Sequence, residues 1–328
     1  MFMEIINHFS LMNNNLIIKL IINLFLLYNL FLYNIIIKNK KKIKNTQNIY
    51  DVNFEYQNYE REILSDKIKS YAGYEIFNNH PFFLNGIIRK LKPKNCLEIG
   101  TARGGTSIVI LNAIKNFNGS FLISLDLNQK WYRNKYFDTG YRVKKYFPEL
   151  ANKWKLFTGS QPHIFLEKLN IKFDFLYLDT VHSAPGEFLN IIEVLPFLNE
   201  NAIIVIHDIM YHYLRNISKD KSLKYIKFHP SNIYLFNSLF GDKVIVKDDK
   251  SGIENTGAVF LYKNQESHYL DYFILLLSPW EYMPKKKHIE ELKIFINKYY
   301  KKDIYKYIFN KAVEQNKIYI KRINEINK

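Results

Sequence analysis

The sequence predicts an α/β protein whose core is a mostly parallel β-sheet with helices on both faces. Between about residues 91 and 265, apolar runs of strand length alternate with segments that carry apolar residues at helical spacing. Glycines gather at Gly100, Gly104 and Gly105, directly after the first of these runs, although the chain of 328 residues has only 12 glycines. Near-continuous apolar strands that alternate with helices are typical of parallel sheets covered on both sides.

The first 48 residues are predicted to form a leader. Residues 16–37 read LIIKLIINLFLLYNLFLYNIII, long enough to cross a bilayer but interrupted by lysine and asparagine, and five lysines follow between residues 38 and 44. The pattern is typical of an amphipathic helix that packs on protein, self-associates or lies on a membrane surface, and these alternatives stay open. Peripheral membrane contact through residues 16–44 would keep the remainder of the chain on the cytoplasmic side.

Residues 49–90 are polar with helical spacing, and we expect a helical segment that covers the substrate as a lid. The α/β core follows over residues 91–265. Its first five strands are predicted at NCLEIG, GSFLISLDLN, KWKLFTG, FDFLYLDT and NAIIVIHD, with helices at TSIVILNAIKNF, HIFLEKLN and GEFLNIIEVLPFL. KVIVKDD and GAVFLYKN, joined by a turn around Ser251 and Gly252, predict a hairpin at the sheet edge. Residues 266–328 predict a C-terminal helical extension.

The amino-acid composition limits which molecules and metal sites the chain could bind. The formal net charge is +16, but only seven of the 47 basic residues are arginine and the lysines are scattered, which argues against nucleic acid as a partner. Cys96 is the only cysteine, so an intrachain disulfide and a thiolate metal cluster are excluded. Because Cys96 lies within an apolar strand, we interpret it as a buried small hydrophobe.

The glycine turn LEIGTARGGTS requires that backbone pass close to a ligand or to another structural element. Ligands of open parallel sheets bind beyond the carboxyl ends of the strands, which is where this turn lies. The turn reads G-T-A-R-G-G and lacks the G-x-G-x-x-G spacing of dinucleotide sites. A smaller adenosine cofactor and a dinucleotide are therefore the two competing ligands.

LEIGTARGGTS resembles the first motif of class I S-adenosylmethionine (SAM)-dependent methyltransferases, in particular small-molecule O-methyltransferases and cephalosporin-hydroxylase-like proteins. LISLDLN, LFTGSQP and the block from FDFLYLDT to NAIIVIHD fall in the order of further motifs of that family, so the resemblance covers roughly residues 90–263. It implies a three-layer, Rossmann-like sheet of about seven strands, with an antiparallel edge hairpin and helical extensions at both ends. It also implies SAM as the cofactor.

The resemblance implies which residues would bind the cofactor. Asp126 would hold the two ribose hydroxyls, and Glu98 would hold the glycine turn or contact the amino acid moiety. The full set is Glu98, Gly100, Thr101, Gly104, Gly105, Thr106, Asp126, Gly159, Ser160 and Asp179. Alternatives without a cofactor stay open: close helix-strand packing for the glycines, a strand-end cap for Asp126, and a helix cap near Pro162 for Ser160.

Two mechanisms are open at the predicted reacting end, where Asp179 and His182 follow the fourth strand and His207 and Asp208 follow the fifth. In the first, His182 is the general base, with Asp179 and His207 as further catalytic residues. In the second, Asp179, Asp208 and His207 hold a divalent metal, Mg or Mn, that acidifies the acceptor hydroxyl. His212 is a further candidate for this group.

These expectations describe a cytoplasmic SAM-dependent methyltransferase that methylates oxygen on a small molecule or on a sugar residue of a surface glycan. The extensions would provide a surface for homo-oligomer formation. Two alternatives belong to other classes: a nicotinamide-dependent oxidoreductase on the same type of sheet, and a basic, non-catalytic binding module with a decayed site.

Overall fold

The computed structural model describes residues 65–72, 80–210, 231–247 and 254–326. They all belong to one compact unit, residues 50–328. The predicted leader, His212 and the turn at residues 251–252 lie outside the described residues. Within the described ranges, every helix is too short or too polar to span a membrane.

Seven strands form one sheet in the described part of the chain, in the order β3-β2-β1-β4-β5-β7-β6. They are β1 (Asn95–Ile99), β2 (Phe121–Asp126), β3 (Trp154–Thr158), β4 (Phe173–Leu178), β5 (Leu198–Ile206), β6 (Gly241–Lys247) and β7 (Glu254–Leu261). The first five strands pair in parallel, and β7 pairs antiparallel with both β5 and β6. The predicted parallel sheet with an antiparallel edge hairpin is confirmed.

Helices cover both faces of this sheet. They are α1 (Asp66–Ala72), α2 (His80–Leu91), α3 (Gly105–Ile114), α4 (Tyr141–Tyr146), α5 (Pro162–Leu169), α6 (Gly186–Val194), α7 (Ser231–Ser238), α8 (Tyr269–Ile274), α9 (Lys286–Tyr299) and α10 (Asp303–Ile326). Short 3₁₀ helices occur at Pro148–Lys153, Leu195–Phe197, Gln265–His268 and Leu275–Leu277.

The central strands send alternate side chains into two cores, as a pleated sheet covered on both faces requires. On β1, Cys96 packs in the cluster that contains α2 and α3, while Leu97 packs in the opposite cluster with α6 and the C-terminal helices. Burial raises the pKa of the Cys96 thiol, so this residue is the buried hydrophobe that the sequence predicts.

The two helical extensions contribute to these cores. Residues 80–88 of the predicted lid segment are buried in α2 and pack on α3. In the C-terminal extension, Trp280, Phe295 and Phe309 are each only 1% exposed and belong to the other core. Since these side chains pack against sheet-covering helices, both described segments stabilise the sheet.

The register of the parallel strands brings their carboxyl ends to one edge of the sheet. Ile99 at the end of β1 pairs with Leu125 on β2 and, on its other side, with Leu178 on β4. Leu178 pairs in turn with Ile206, the last residue of β5. The strand order reverses between β1 and β4, which is where open sheets of this type bind ligands.

Candidate active site

The glycine turn after β1 is shaped by close contact with protein backbone. Gly100 has φ +92°, and a Cβ at this position would lie 1.7 Å from the carbonyl oxygen of Asp179. Gly104 has φ +91°, and its Cβ would lie 3.2 Å from the Cα of Gly140. The close-packing alternative therefore accounts for these two glycines. Cofactor contact by Gly100, Gly104 and Gly105 stays a prediction.

Asp126 holds the glycine turn through its carboxylate. Oδ2 accepts hydrogen bonds from the backbone N–H groups of Thr101 and Ala102, both at 3.0 Å. Oδ1 accepts a bond of 2.8 Å from the backbone N–H of Asn128. A carboxylate offers about four acceptor positions, so the three bonds leave room for a further donor such as a ribose hydroxyl. The cap that the sequence suggested as an alternative is present, and ribose binding stays a prediction.

Thr101, Gly105 and Thr106 line the same turn and the start of α3. The Thr101 hydroxyl is buried and finds no hydrogen-bond partner among the described residues. Gly105 and Thr106 are the first residues of α3, where backbone N–H groups lack intrahelical partners. Hydroxyl and N–H groups at this place suit the polar groups of a cofactor.

Glu98 is completely buried behind the glycine turn. Its Oε2 accepts hydrogen bonds from the hydroxyls of Ser107, at 2.6 Å, and Ser124, at 2.5 Å. Burial raises the pKa of Glu98 to about 7, although the two hydroxyls oppose this rise. Since Ser107 belongs to α3 and Ser124 to β2, Glu98 links the end of β1 to both elements, and its contact with the turn or the cofactor stays a prediction.

The end of β3 presents Gly159 and Ser160. Gly159 has φ +92°, and its Cβ would lie 3.2 Å from the side-chain nitrogen of Gln129. Helix α5 begins at Pro162, as predicted, but Gln161 occupies the N-cap position and makes no side-chain cap bond. The expected alternative for Ser160, a helix cap, is therefore wrong, and its contact with the cofactor stays a prediction.

The predicted reacting residues converge at the ends of β4 and β5. The Nε2 atom of His182 lies 3.5 Å from Asp179 Oδ1 and 3.2 Å from Asp208 Oδ2. The Nδ1 atom of His207 lies 3.4 Å from Asp179 Oδ2 and 3.5 Å from Asp208 Oδ1. Two imidazoles thus face the same pair of carboxylates.

The two carboxylates determine the charge on His207. Burial lowers the pKa of His207, but Asp208 and Asp179 outweigh burial and raise this pKa to about 9. Burial would likewise raise the pKa of Asp179, but His207 and His182 hold it well below its usual range. The two carboxylates therefore favour the protonated form of His207, and its catalytic role stays a prediction.

Three side chains at the ends of β4 and β5 could bind a metal ion. Asp179, His182 and Asp208 each offer one atom, and the three atoms lie within 4.8 Å of one another. The sequence predicted Asp179, Asp208 and His207, so the structure places His182 where His207 was expected. Two carboxylates and one imidazole suit manganese or iron better than magnesium, which prefers oxygen ligands.

Three residues of the site have left-handed backbone although none is glycine. Ala102 in the glycine turn has φ +47°, His182 has φ +57° and Asp208 has φ +54°. Such conformations persist only where the surroundings enforce them, and they are enriched at functional sites. The chain is therefore held in an unfavourable conformation on both sides of the crevice.

Four residues that the sequence prediction missed surround this group. His80 Nδ1 lies 2.7 Å from the Thr256 hydroxyl, and His80 Nε2 lies 3.2 Å from the Tyr177 hydroxyl. Tyr177 donates to Asp179 Oδ2 at 3.2 Å, and the side-chain amide of Asn255 donates to Asp208 Oδ1 at 2.6 Å. No local pattern marks them, because His80 and Thr256 are 176 residues apart.

The site thus combines a glycine turn, a carboxylate at the end of β2 and an acidic, histidine-rich centre at the switch point. This arrangement agrees with the resemblance that the sequence motifs indicate. Residues 97–209 match the family whose model is described as "Methyltransferase domain", and this segment includes the whole predicted cofactor set and the reacting residues from Asp179 to Asp208. Over these residues the chain is therefore similar to that family of methyltransferase domains.

Three methyltransferases are among the solved structures to which the chain is similar. TomG, the O-methyltransferase from Streptomyces achromogenes involved in tomaymycin synthesis, solved with SAM, is 14% identical, with a TM-score of 0.45 over 64% of this chain and 96% of that chain. An O-methyltransferase from Bacillus cereus, solved with S-adenosylhomocysteine (SAH), is 15% identical, with a TM-score of 0.45 over 63% and 96%. SAH-bound PaMTH1 from Podospora anserina is 16% identical, with a TM-score of 0.44 over 69% and 96%. No curated protein sequence matches the chain.

Proposed function

We propose that this methyltransferase transfers the methyl group of SAM to a hydroxyl oxygen of a small molecule or of a glycan sugar. The observation that carries the proposal is the position of the His182 imidazole, which lies between Asp179 and Asp208. A hydroxyl that approaches a methyl donor here meets a proton acceptor, and two anions stabilise the imidazolium that forms.

The residues of the glycine turn fit SAM. The Thr101 hydroxyl and the first N–H groups of α3 offer donors, and the Asp126 carboxylate retains capacity for a ribose hydroxyl. When bound, SAM supplies an electrophilic methyl group. The task of the turn is then to fix the adenosyl group so that the methyl group lies in line with the acceptor oxygen.

The reacting residues also fit a divalent metal ion. Asp179, His182 and Asp208 would hold the ion, preferably manganese. A bound ion would lower the pKa of the acceptor hydroxyl. A bound ion would take Nε2 of His182 as its ligand. Without an ion, Nε2 donates its proton to the facing carboxylates, and the ring would accept the hydroxyl proton at Nδ1. The two mechanisms are therefore mutually exclusive, and metal dependence decides between them.

His207 and its neighbours set the charge of the centre. Protonated His207 neutralises one of the two facing carboxylates, and Asn255 fixes Asp208 by a hydrogen bond of 2.6 Å. Tyr177 and His80 fix Asp179 from the side of α2. These residues keep both carboxylates directed at His182 without supplying the base themselves.

The sequence pattern supports a proposal for the acceptor class and for the location. A cytoplasmic enzyme with the lysine-rich segment at residues 38–44 would be held near anionic membranes that carry glycan precursors. Homo-oligomer formation would use the extensions. These proposals rest on the sequence pattern alone.

The test is a methyl-transfer assay with labelled SAM and a panel of hydroxyl acceptors that includes catechols and sugars. We expect transfer to oxygen and formation of SAH. Dialysis against a chelator followed by manganese addition then separates the mechanisms: unchanged turnover assigns His182 as the base, whereas loss and recovery assign it as a ligand. Turnover with nicotinamide cofactors instead of SAM would contradict the proposal.

A further inference from the structure

Glu187 is a buried carboxylate that holds the loop between β4 and α6. Its Oε1 accepts hydrogen bonds from the backbone N–H of His182, at 2.6 Å, and from the Thr180 hydroxyl, at 2.9 Å. Its Oε2 accepts a bond of 3.1 Å from the backbone N–H of Ser183. One side chain thus binds the loop on both sides of the His182 peptide.

The His182 backbone needs such an anchor. Its φ of +57° is a left-handed conformation that a residue with a Cβ rarely adopts. In this conformation the imidazole reaches both Asp179 and Asp208. If the backbone relaxed to a negative φ, the Cα–Cβ bond would point elsewhere and Nε2 would leave the two carboxylates.

Burial of the Glu187 carboxyl group is energetically unfavourable. Its side chain is fully buried, and no lysine or arginine forms an ion pair with it in the described ranges. A buried carboxylate without a basic partner is costly, so its presence indicates a task that an apolar side chain would not perform. Its hydrogen bonds point to that task, because all of them end on residues 180–183.

We propose that Glu187 is the positioning residue of this methyltransferase: it enforces the left-handed backbone at His182 and thereby places Nε2 between Asp179 and Asp208. The catalytic part of this proposal rests on the proposed function, since His182 would be the base or a metal ligand. The geometric part does not, because it concerns only the position of the imidazole.

A matched control lies on the same helix. Glu193 is also fully buried in α6, but it binds the backbone N–H and the ring of His163 instead of the loop. Glu187→Gln and Glu193→Gln therefore each replace one carboxyl group by an amide at equally buried positions. In Glu187→Gln one of the two oxygens becomes an NH2 donor, which cannot accept the backbone bond made to that oxygen, so the anchor is weakened only in this variant.

The experiment uses the full-length chain and two readouts. In the methyl-transfer assay, Glu187→Gln should lower kcat at least tenfold while the KM for SAM stays within twofold of wild type. Glu193→Gln should change kcat by less than twofold. In the His182→Ala background, Glu187→Gln should lower turnover no further, because its effect passes through His182. Thr180→Val, which removes one of the donors to Glu187, should lower kcat two- to fivefold.

The second readout is NMR of protein with labelled histidine side chains, with the His182 signal assigned by its loss in His182→Ala. We expect Glu187→Gln to shift this signal and Glu193→Gln to leave it unchanged. An unchanged His182 signal in Glu187→Gln would overturn the positioning role whether or not methyl transfer is detected. An equal loss of kcat in the presence and absence of His182 would overturn it as well. If the NMR result holds and no transfer from SAM occurs, the proposed function fails and the positioning role stands.

Discussion

The two halves of the crevice are built differently. At the ends of β1 and β2, the chain is shaped by glycine geometry, and a single carboxylate, Asp126, caps three backbone N–H groups. At the ends of β4 and β5, each of two imidazoles has a nitrogen within 3.5 Å of both carboxylates. The first half fixes shape and the second concentrates charge, which is the division expected between holding a cofactor and performing proton chemistry.

The pKa shifts in the two halves have different causes. His207 and Asp179 influence each other across the charged half, so the pKa of His207 rises to about 9. In the shape-determining half the shifted group is Glu98, which lies behind the turn. Changes in the charged half should therefore affect turnover, and changes in the other half should affect stability and cofactor affinity.

The largest effect is expected for His182→Ala. Loss of the base or ligand should lower kcat by roughly 10² to 10⁴-fold, while the Kd for SAH stays within about twofold, because the glycine turn is untouched. Steady-state kinetics and calorimetry measure the two quantities. Asp174→Asn is a suitable control, since Asp174 lies on β4 but binds the backbone of residues 94 and 95. Normal turnover in His182→Ala would remove this residue from the mechanism.

The second effect concerns stability. Gly100→Ala would place a Cβ 1.7 Å from the Asp179 carbonyl oxygen at φ +92°, so we expect the free energy of unfolding to fall by more than about 3 kcal/mol. Gly119 has φ +74° with no atom within 4 Å of its Cβ position. Gly119→Ala should therefore cost only about 1 kcal/mol. Urea denaturation measures the free energy of unfolding of both variants. Equal losses would contradict the conclusion that Gly100 is required for close packing.

The third effect is a pH dependence of stability. The pKa of Glu98 rises from 4.5 to about 7 on folding, so the folded chain binds more protons than the unfolded chain between these pH values. Stability should therefore fall as pH increases from about 4.5 to 7, by roughly 3 kcal/mol from this group. Glu98→Gln should flatten the fall, whereas Glu149→Gln, at an exposed position, should not. An identical pH profile in Glu98→Gln would show that Glu98 titrates normally.

The smallest effect is expected for Asp126→Ala. We expect a Kd for SAH about tenfold weaker, because the turn loses its cap and the ribose loses its acceptor. Asp126→Asn keeps one acceptor oxygen, so its Kd for SAH should lie between that of Asp126→Ala and that of the wild type. Calorimetric titration measures both, and an unchanged Kd in Asp126→Ala would contradict a role of Asp126 in cofactor binding.

The sequence predicted the sheet because its signals are local. Each of the seven strands is an apolar run bounded by turn residues, and the glycine turn marks the first strand-to-helix connection. His182 and Asp208 could be predicted as neighbours because parallel strands end at one edge. The helix at residues 231–238 was missed because its short apolar pattern is weak.

The supporting residues could not be predicted for a physical reason. Thr256 reaches His80, and Asn255 reaches Asp208, only after β7 has paired with β5. Glu187 lies close to the site in sequence, but its pattern is that of an ordinary acidic residue in the first turn of a helix. Only the burial of its side chain distinguishes it, and burial is a tertiary property.

The most direct test of the central claim is a crystal structure of the full-length chain with SAH. We expect the ligand above the glycine turn, with its ribose at Asp126 and its sulfur directed towards His182 and the two facing carboxylates. Occupation of that space by protein side chains, or binding of SAH elsewhere on the chain, would contradict the account.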